Sequence, residues 1–224
     1  MKPEMIIMLT NNDITVPDAE EIFEECKDLP AKKWGFKDVG LEKDRMIELA
    51  KKMKDAGKET YIEVVTYTEE GCLEGAKLAY ECGLDYLTGT LPFDSVLEYA
   101  KAHNLKYYPF AGDVGGSPVE LKGSIESVTA SAKKAIESGA AGVDLTAYRY
   151  ADGDPIELIK AVVDAVGADK VCIAGSIGNA ERMEAMKKAG VAEYTMGSAL
   201  FNGNFVKGGT FRENLEYVLD YLKE

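Results

Sequence analysis

The sequence predicts an α/β protein of the (βα)8 barrel kind, a single closed parallel sheet wrapped by helices. Three observations predict it. Eight short apolar runs recur along a chain of 224 residues, so each unit has 28 residues, room for one strand and one helix. Most of these runs follow a helix-like segment ending in Gly, the residue best suited to left-handed backbone past a helix end. The first strand turn, Leu9-Thr10-Asn11-Asn12-Asp13, has no glycine, and no G-x-x-x-x-G-K-[ST] occurs, so an open nucleotide-binding sheet lacks its signatures.

The elements follow in order. Met5–Leu9 is the first strand and Trp34–Val39 the second. Between Leu41 and Ala56, the set Met46, Leu49, Ala50 and Met53 has i, i+3, i+4, i+7 spacing, which buries one helical face. Gly57 precedes the third strand, Tyr61–Val65, and Thr66 with Glu69 has the spacing of a capping box before a helix through Cys72 and Leu78. Gly83 precedes the fourth strand, Asp85–Thr88. A helix over Val96–His103 then ends at Asn104, before the fifth strand, Tyr107–Phe110. Gly139 precedes the sixth, Val143–Thr146. Asp154-Pro155-Ile156-Glu157 places an N-cap, an N1 proline and an N3 glutamate in sequence. Gly167 precedes the seventh strand, Val171–Ala174; a helix spans Glu181–Ala189, and Gly190 precedes the eighth, Tyr194–Met196. Connections are short and composition does not shift, so residues 1–224 read as one barrel domain.

Composition narrows the function. Lys plus Arg number 26 against 39 Asp plus Glu, a net charge of −13, which argues against nucleic acid or an anionic membrane as the main partner. The longest apolar runs fall far short of a membrane span, and Met1-Lys2-Pro3-Glu4 lacks a signal-peptide layout. Cys26, Cys72, Cys82 and Cys172 form no C-x-x-C pair and read as free thiols, as expected in a reducing cytoplasm. One histidine, His103, rules out multi-histidine metal sites by count, so no metal or other cofactor is expected. The sequence is compatible with a monomer or a homo-oligomer.

In such barrels the active site lies at the C-terminal ends of the strands. Strand alternation then sorts the side chains. Trp34 and Phe36 take the outer face and leave Lys37 inward; Ile62 and Val64 leave Glu63 inward. Leu87 leaves Thr88 inward, and Val143, Leu145 and Ala147 leave Asp144, Thr146 and Tyr148 inward. Lys37, Glu63 and Asp144 are therefore the candidate catalytic set, a carboxylate base with a lysine acting as acid, electrophile or Schiff-base nucleophile. The same residues also fit a structural ion pair in a polar barrel core. A one-residue slip on the second strand would exchange Lys37 for Asp38.

The seventh strand runs into Ala174-Gly175-Ser176-Ile177-Gly178-Asn179, and the eighth into Met196-Gly197-Ser198-Ala199-Leu200-Phe201. Glycine at both strand ends admits a ligand to the backbone, and following amides at a helix start suit an anion. Barrels commonly hold phosphate in these two loops. Tight turns alone are the alternative, but two such loops on neighbouring strands at these ordinal positions favour phosphate. In the stretch Gly112-Asp113-Val114-Gly115-Gly116-Ser117-Pro118, which continues to Gly123, the longest βα loop is either a lid carrying Asp113 or Lys122 toward a ligand or a solvent-exposed excursion. Arg149, in Tyr148-Arg149-Tyr150, suits a carboxylate or second phosphate. His103 reads as surface, at a helix end away from the site.

With Val171-Cys172-Ile173-Ala174-Gly175-Ser176-Ile177, then Ala189-Gly190-Val191, then Thr195-Met196-Gly197-Ser198-Ala199-Leu200-Phe201, the last quarter resembles the ribulose-phosphate-binding barrel superfamily. The rest of the chain matches it only in strand–helix rhythm. The resemblance implies that amides near Gly175, Ser176, Gly197 and Ser198 hold a substrate phosphate. Catalytic residues carry over less well. The paired histidines of the metal-dependent epimerases are absent. The sixth strand, where aldolases of the superfamily carry a Schiff-base lysine, reads Asp144-Leu145-Thr146-Ala147-Tyr148-Arg149. Asp13 and Asp113 lie near the places where histidine-pathway isomerases use aspartates, outside a matching motif. The chain also resembles a group sometimes labelled 4-hydroxythreonine-4-phosphate dehydrogenase, yet the metal-binding histidines and nucleotide fingerprint which that label implies are missing.

The expectation is an enzyme for a small phosphorylated carbonyl compound. Its candidate site comprises Lys37, Glu63 and Asp144 for catalysis, Gly175, Ser176, Ile177, Gly197 and Ser198 for phosphate, and Thr88, Asp113, Tyr148 and Arg149 for the rest of the substrate. Isomerisation or epimerisation is the first choice, a class I lyase through Lys37 the second, and a non-catalytic phosphometabolite-binding protein the third.

Overall fold

The computed structural model describes residues 2–223. Eight parallel strands form one sheet: β1 (Glu4–Met8), β2 (Lys33–Lys37), β3 (Glu59–Val64), β4 (Tyr86–Gly89), β5 (Lys106–Tyr108), β6 (Val143–Leu145), β7 (Val171–Ile173) and β8 (Glu193–Met196). Their order is β6-β7-β8-β1-β2-β3-β4-β5. A bridge between Phe110 and Asp144, with the Asp144 amide 2.8 Å from the Pro109 carbonyl, nearly closes the sheet into a barrel. Between the strands run α1 (Ala19–Cys26), α2 (Lys43–Asp55), α3 (Glu69–Glu81), α4 (Asp94–Ala102), α5 (Ile125–Glu137), α6 (Pro155–Val166) and α7 (Ala180–Ala189); α8 (Ser198–Phe201) and α9 (Phe211–Lys223) follow β8. Among the described residues no helix is long and apolar enough to cross a membrane.

Alternation sorts the side chains as expected. Trp34, Phe36, Ile62, Val64, Leu87, Val143 and Leu145 lie in the large core between sheet and helices. Inside the barrel a separate cluster joins Ile6, Met8, Tyr61, Tyr86, Tyr108 and Cys172. Tyr61 stacks on Tyr86 with ring centroids 4.1 Å apart, an arrangement that adds to burial. Gly35 makes this layer fit: a Cβ there would sit 2.8 Å from Met8 Sδ and 2.9 Å from Tyr61 Cβ. The register pairs Lys37 with Glu63 and Glu63 with Thr88, while Asp38 falls beyond β2. That removes the slip which would have put Asp38 inside.

Local signals held in most places. Asp154 Oδ1 accepts from the amides of Ile156 and Glu157 at 2.8 and 2.9 Å, with Pro155 next to it. All four apolar residues of the α2 stripe are buried. Gly57, Gly83, Gly190 and Asn104 have the left-handed φ predicted for a helix end. Gly167 is different, with φ 96° and ψ 142°, because a 3-10 turn over Ala168–Lys170 leads into β7. The Thr66–Glu69 capping box does not form. Thr68 is the N-cap, its hydroxyl accepting from the Gly71 amide at 3.2 Å, and α3 starts at Glu69.

Two hairpins interrupt the rhythm at the C-terminal end of the barrel. Thr10–Asn11 pairs with Ile14–Thr15 after β1, and Asp113–Gly115 pairs with Glu120–Lys122 after β5. The second is anchored along one side, while Asp113, Gly116, Ser117, Pro118, Glu120 and Lys122 stay exposed. Val114, Val119 and Leu121 are buried, the Tyr67 hydroxyl donates to the Gly116 carbonyl at 2.8 Å, and the Tyr150 hydroxyl donates to Gly123 at 2.7 Å.

Candidate functional site

At the C-terminal mouth of the barrel lies a cavity of about 380 Å3. Its floor is Lys37 and Glu63, side by side on β2 and β3 with Nζ 3.3 Å from Oε2. Asp13, at the tip of the first hairpin, reaches over the edge to place Oδ1 3.1 Å from Lys37 Nζ. Burial opposes the charge on Lys37, but Glu63 and Asp13 outweigh it and hold its pKa above the ordinary lysine range. The lysine is an ammonium gripped by two carboxylates. For Asp13 burial pulls upward, yet Lys37 and Arg149 prevail and keep its carboxyl below the usual range.

The far wall is built from the two predicted loops: Gly175, Ser176, Ile177, Gly197 and Ser198 all line the cavity. Gly175 and Ser176 have φ of 79° and 62°, a reversal that turns the chain after β7 back over the barrel mouth. Gly197 is glycine for a steric reason: a Cβ would lie 2.7 Å from Thr10 Oγ1, 2.8 Å from its carbonyl and 3.1 Å from that of Met8. One expected donor is already engaged. The Gly175 amide donates to Thr195 Oγ1 at 3.2 Å, and Ser198 Oγ accepts from the Asn12 amide at 3.1 Å. Backbone left to meet an anion therefore lies further along, from Ser176 to the start of α7, where a helix presents unpaired N–H groups.

The structure brings Lys37, Glu63, Arg149 and the five loop residues together and leaves four expected residues outside. Asp144 is 1% exposed beneath the floor, and neither carboxylate oxygen makes a hydrogen bond of normal length. Burial, then Glu63, pushes its carboxyl well above the usual range, with Lys37, the Gly89 backbone and Arg149 opposing. Thr88 is buried and its hydroxyl donates to the Ile62 carbonyl at 3.3 Å. Asp113 is exposed on the second hairpin, opposite Lys122. Tyr148 leaves the cavity because β6 ends at Leu145: a 3-10 turn over Ala147–Arg149 breaks the alternation and delivers Arg149 to the wall instead. There Arg149 Nε is 3.2 Å from where a Cβ on Gly175 would be, and Nη2 is 3.4 and 3.5 Å from the oxygens of Asp13.

Sequence reasoning missed two charged members of the site. Arg182 lines the cavity from the first turn of α7; its guanidinium donates to the Ser176 carbonyl and stands 4.2 Å over the Tyr148 ring. A signal for it existed, because a cation in a helix's first turn opposes the helix dipole unless an anion faces it. Asp13 was seen as a neighbour of the site but not as a bridge between Lys37 and Arg149. His103 stacks on Tyr99 and meets Tyr80 edge-on at the end of α4, and it does not line the cavity.

No family model matches the chain, and no curated protein does. Solved structures do. Orotidine 5'-phosphate decarboxylase from Pyrococcus horikoshii OT3 superposes with a TM-score of 0.72 at 15% identity, over 98% of this chain and 100% of its own. N-(5'-phosphoribosyl)anthranilate isomerase from Pyrococcus furiosus gives 0.64 at 13% identity, over 97% and 99%. A glycerol uptake operon antiterminator regulatory protein from Listeria monocytogenes gives 0.59 at 15%, over 91% and 97%. These neighbours are ribulose-phosphate-binding barrels. What they share with this chain at such identities is the fold.

Proposed function

We propose that the barrel is an enzyme acting on a small phosphorylated carbonyl compound, moving a proton next to the carbonyl in an isomerisation or epimerisation. One observation carries this reading: the Lys37–Glu63 floor and the glycine loops after β7 and β8 face the same 380 Å3 cavity. That volume suits a small metabolite. The phosphate would lie against Ser176–Asn179 and Gly197–Ser198, with Arg182 beside it. The names of two structural neighbours, a 5'-phosphate decarboxylase and a phosphoribosyl isomerase, support a phosphorylated substrate on this fold.

In this mechanism Glu63 accepts the proton from the carbon beside the carbonyl. The electron pair moves onto the carbonyl oxygen, and the Lys37 ammonium stabilises the enediolate by a charge-assisted hydrogen bond. Returning the proton to the former carbonyl carbon, while the neighbouring hydroxyl passes its proton to the enolate oxygen, completes an isomerisation; an epimerisation needs the opposite face protonated by a second acid, a role open to water in the cavity. Asp144, beneath the floor, would act on Glu63 through its charge state and not on the substrate. A Schiff base at Lys37 is the less favoured route, because it needs a neutral amine and two carboxylates keep this one protonated.

The test is a crystal soaked in inorganic phosphate. An anion between residues 175–179 and 197–199 is expected, and a well-diffracting crystal with that space free of anion overturns the reading.

A further inference from the structure

Arg149 and the first hairpin are not used by this mechanism. Asn12 and Asp13, with φ of 50° and 63°, form a two-residue turn whose tip reaches both halves of the cavity. The Asn12 amide donates to Ser198 Oγ on the phosphate side, and the Asp13 carboxylate spans Lys37 and Arg149 on the chemistry side. The hairpin's base is pinned: Thr15 Oγ1 both donates to the Lys37 carbonyl and accepts from its amide, each at 2.8 Å. The tip is held more loosely. Asp13 is half exposed, and its contacts to Arg149, at 3.4 and 3.5 Å, are longer than a good charge-assisted bond. Among the described residues Asp13 is the only acceptor Arg149 has, which leaves most of a five-donor guanidinium facing a polar cavity.

We propose that Asp13 is a resident anion occupying the place of a second anionic group of the substrate, a carboxylate or a second phosphate, which displaces it from Lys37 and Arg149 on binding. The inference rests on the phosphate reading above and adds to it that the substrate is anionic at both ends. Charge supports the exchange. The charged groups on the cavity wall are Lys37, Arg149 and Arg182 against Glu63 and Asp13. Replacing the Asp13 carboxylate by one from the ligand keeps that balance, so neither buried Lys37 nor Arg149 is left unpaired in the empty or the loaded site. A substrate neutral at this end offers Arg149 nothing better than Asp13 and gives the tip no reason to move. Selectivity then follows from exchange: only a ligand that can replace Asp13 gains the full guanidinium fork.

Two probes differing only at that end test it, 3-phosphoglycerate with a carboxylate and glycerol 3-phosphate with a hydroxymethyl group. Calorimetric titration of the wild type should give about tenfold tighter binding of 3-phosphoglycerate. Asp13→Asn, which removes the competitor, should tighten 3-phosphoglycerate about fivefold further and change glycerol 3-phosphate by less than about twofold. Arg149→Met should bring the two affinities to within about twofold, with Arg149→Lys retaining part of the preference. Equal binding of the two probes by the wild type overturns the proposal, as does an Asp13→Asn variant that weakens 3-phosphoglycerate or shifts both probes alike. If the wild type binds neither probe, the phosphate reading fails and takes this inference with it.

Discussion

Strand β2 carries a lysine at each end, Lys33 partly buried and Lys37 buried, and both are held between carboxylates. At the N-terminal mouth Lys33 Nζ lies 2.6 Å from Glu193 and 2.8 Å from Glu4. At the C-terminal mouth Lys37 Nζ lies 3.1 Å from Asp13 and 3.3 Å from Glu63. Burial opposes the charge on both lysines, the carboxylates outweigh it, and both are held above the ordinary range. By pKa alone the two ends look alike. They differ in what lies beside them. The hollow next to Lys33 has Pro3, Pro30, Leu219 and Leu222 beside Lys32 and Lys223 but no glycine loop and no arginine, whereas the cavity over Lys37 is walled by glycine loops and two arginines. A lysine held between carboxylates is therefore no site by itself; the proposed function rests on the wall beside Lys37.

The largest effect that would break this comparison is on turnover. Glu63→Gln should lower exchange of solvent deuterium into a bound phosphorylated carbonyl compound by about 10²–10⁴-fold, while Glu193→Gln leaves it within about twofold. NMR of the substrate in D2O reads both. Equal losses would mean that the two ends are not functionally distinct.

The order reverses for stability. Lys33→Met strands Glu193, whose side chain is 7% exposed, and should cost about 3–5 kcal/mol in urea unfolding. Lys37→Met strands Glu63, 13% exposed at the edge of a hydrated cavity, and should cost about 1–2 kcal/mol. A Lys37 variant as unstable as the Lys33 one would make the upper pair structural too.

Glycine sharpens the same contrast at a smaller scale. At Gly57, a helix end remote from the cavity, a Cβ would meet nothing within 4 Å, so Gly57→Ala should cost about 1 kcal/mol for its left-handed φ alone. At Gly197 the φ is ordinary and the clash is with the hydroxyl and carbonyl of Thr10, with the Met8 carbonyl close by, so the first hairpin would have to shift. Gly197→Ala should cost about 2–3 kcal/mol and weaken binding of inorganic phosphate, measured by unfolding and by titration. If phosphate binding survives unchanged, the loop after β8 is only a turn.

These differences also mark where the sequence was legible. Lys37 and Glu63 could be read because both sit inside regular strands, where a period of two fixes the facing of each side chain once Trp34 and Ile62 are placed outward. The loops after β7 and β8 could be placed at the cavity because they follow the C-terminal ends of neighbouring strands, where a barrel has its mouth. Legibility stopped where regular backbone stopped. The 3-10 turn after Leu145 took Tyr148 off the cavity wall while keeping Arg149 on it, and the positive φ of Asn12 and Asp13 folded the first loop back over the site. Nothing periodic announces either. The partners that fix those turns, Gly175 beside Arg149 and Ser198 beside Asn12, lie far along the chain.

Asp144 supplies the finest test, since it sits between the two ends and belongs to neither. Its folded pKa is raised by burial and by Glu63, so between the unfolded and folded values the native state binds the extra proton. Stability contributed by that proton is full below the unfolded value and is lost as the pH climbs toward the folded one. The wild type should therefore lose up to about 1.4 kcal/mol per pH unit over that window from this group alone. Asp144→Asn keeps the volume and removes the titration, so its stability curve should be flatter between pH 5 and 7, with the two proteins converging toward acid. Denaturant midpoints at about pH 5, 6 and 7 read the slope. Because Asp144 does not line the cavity, the variant should retain phosphate binding. A parallel pair of curves would mean that the carboxyl is charged in the native barrel, and that the floor holds two ionised carboxylates, Glu63 and Asp144, for its one lysine.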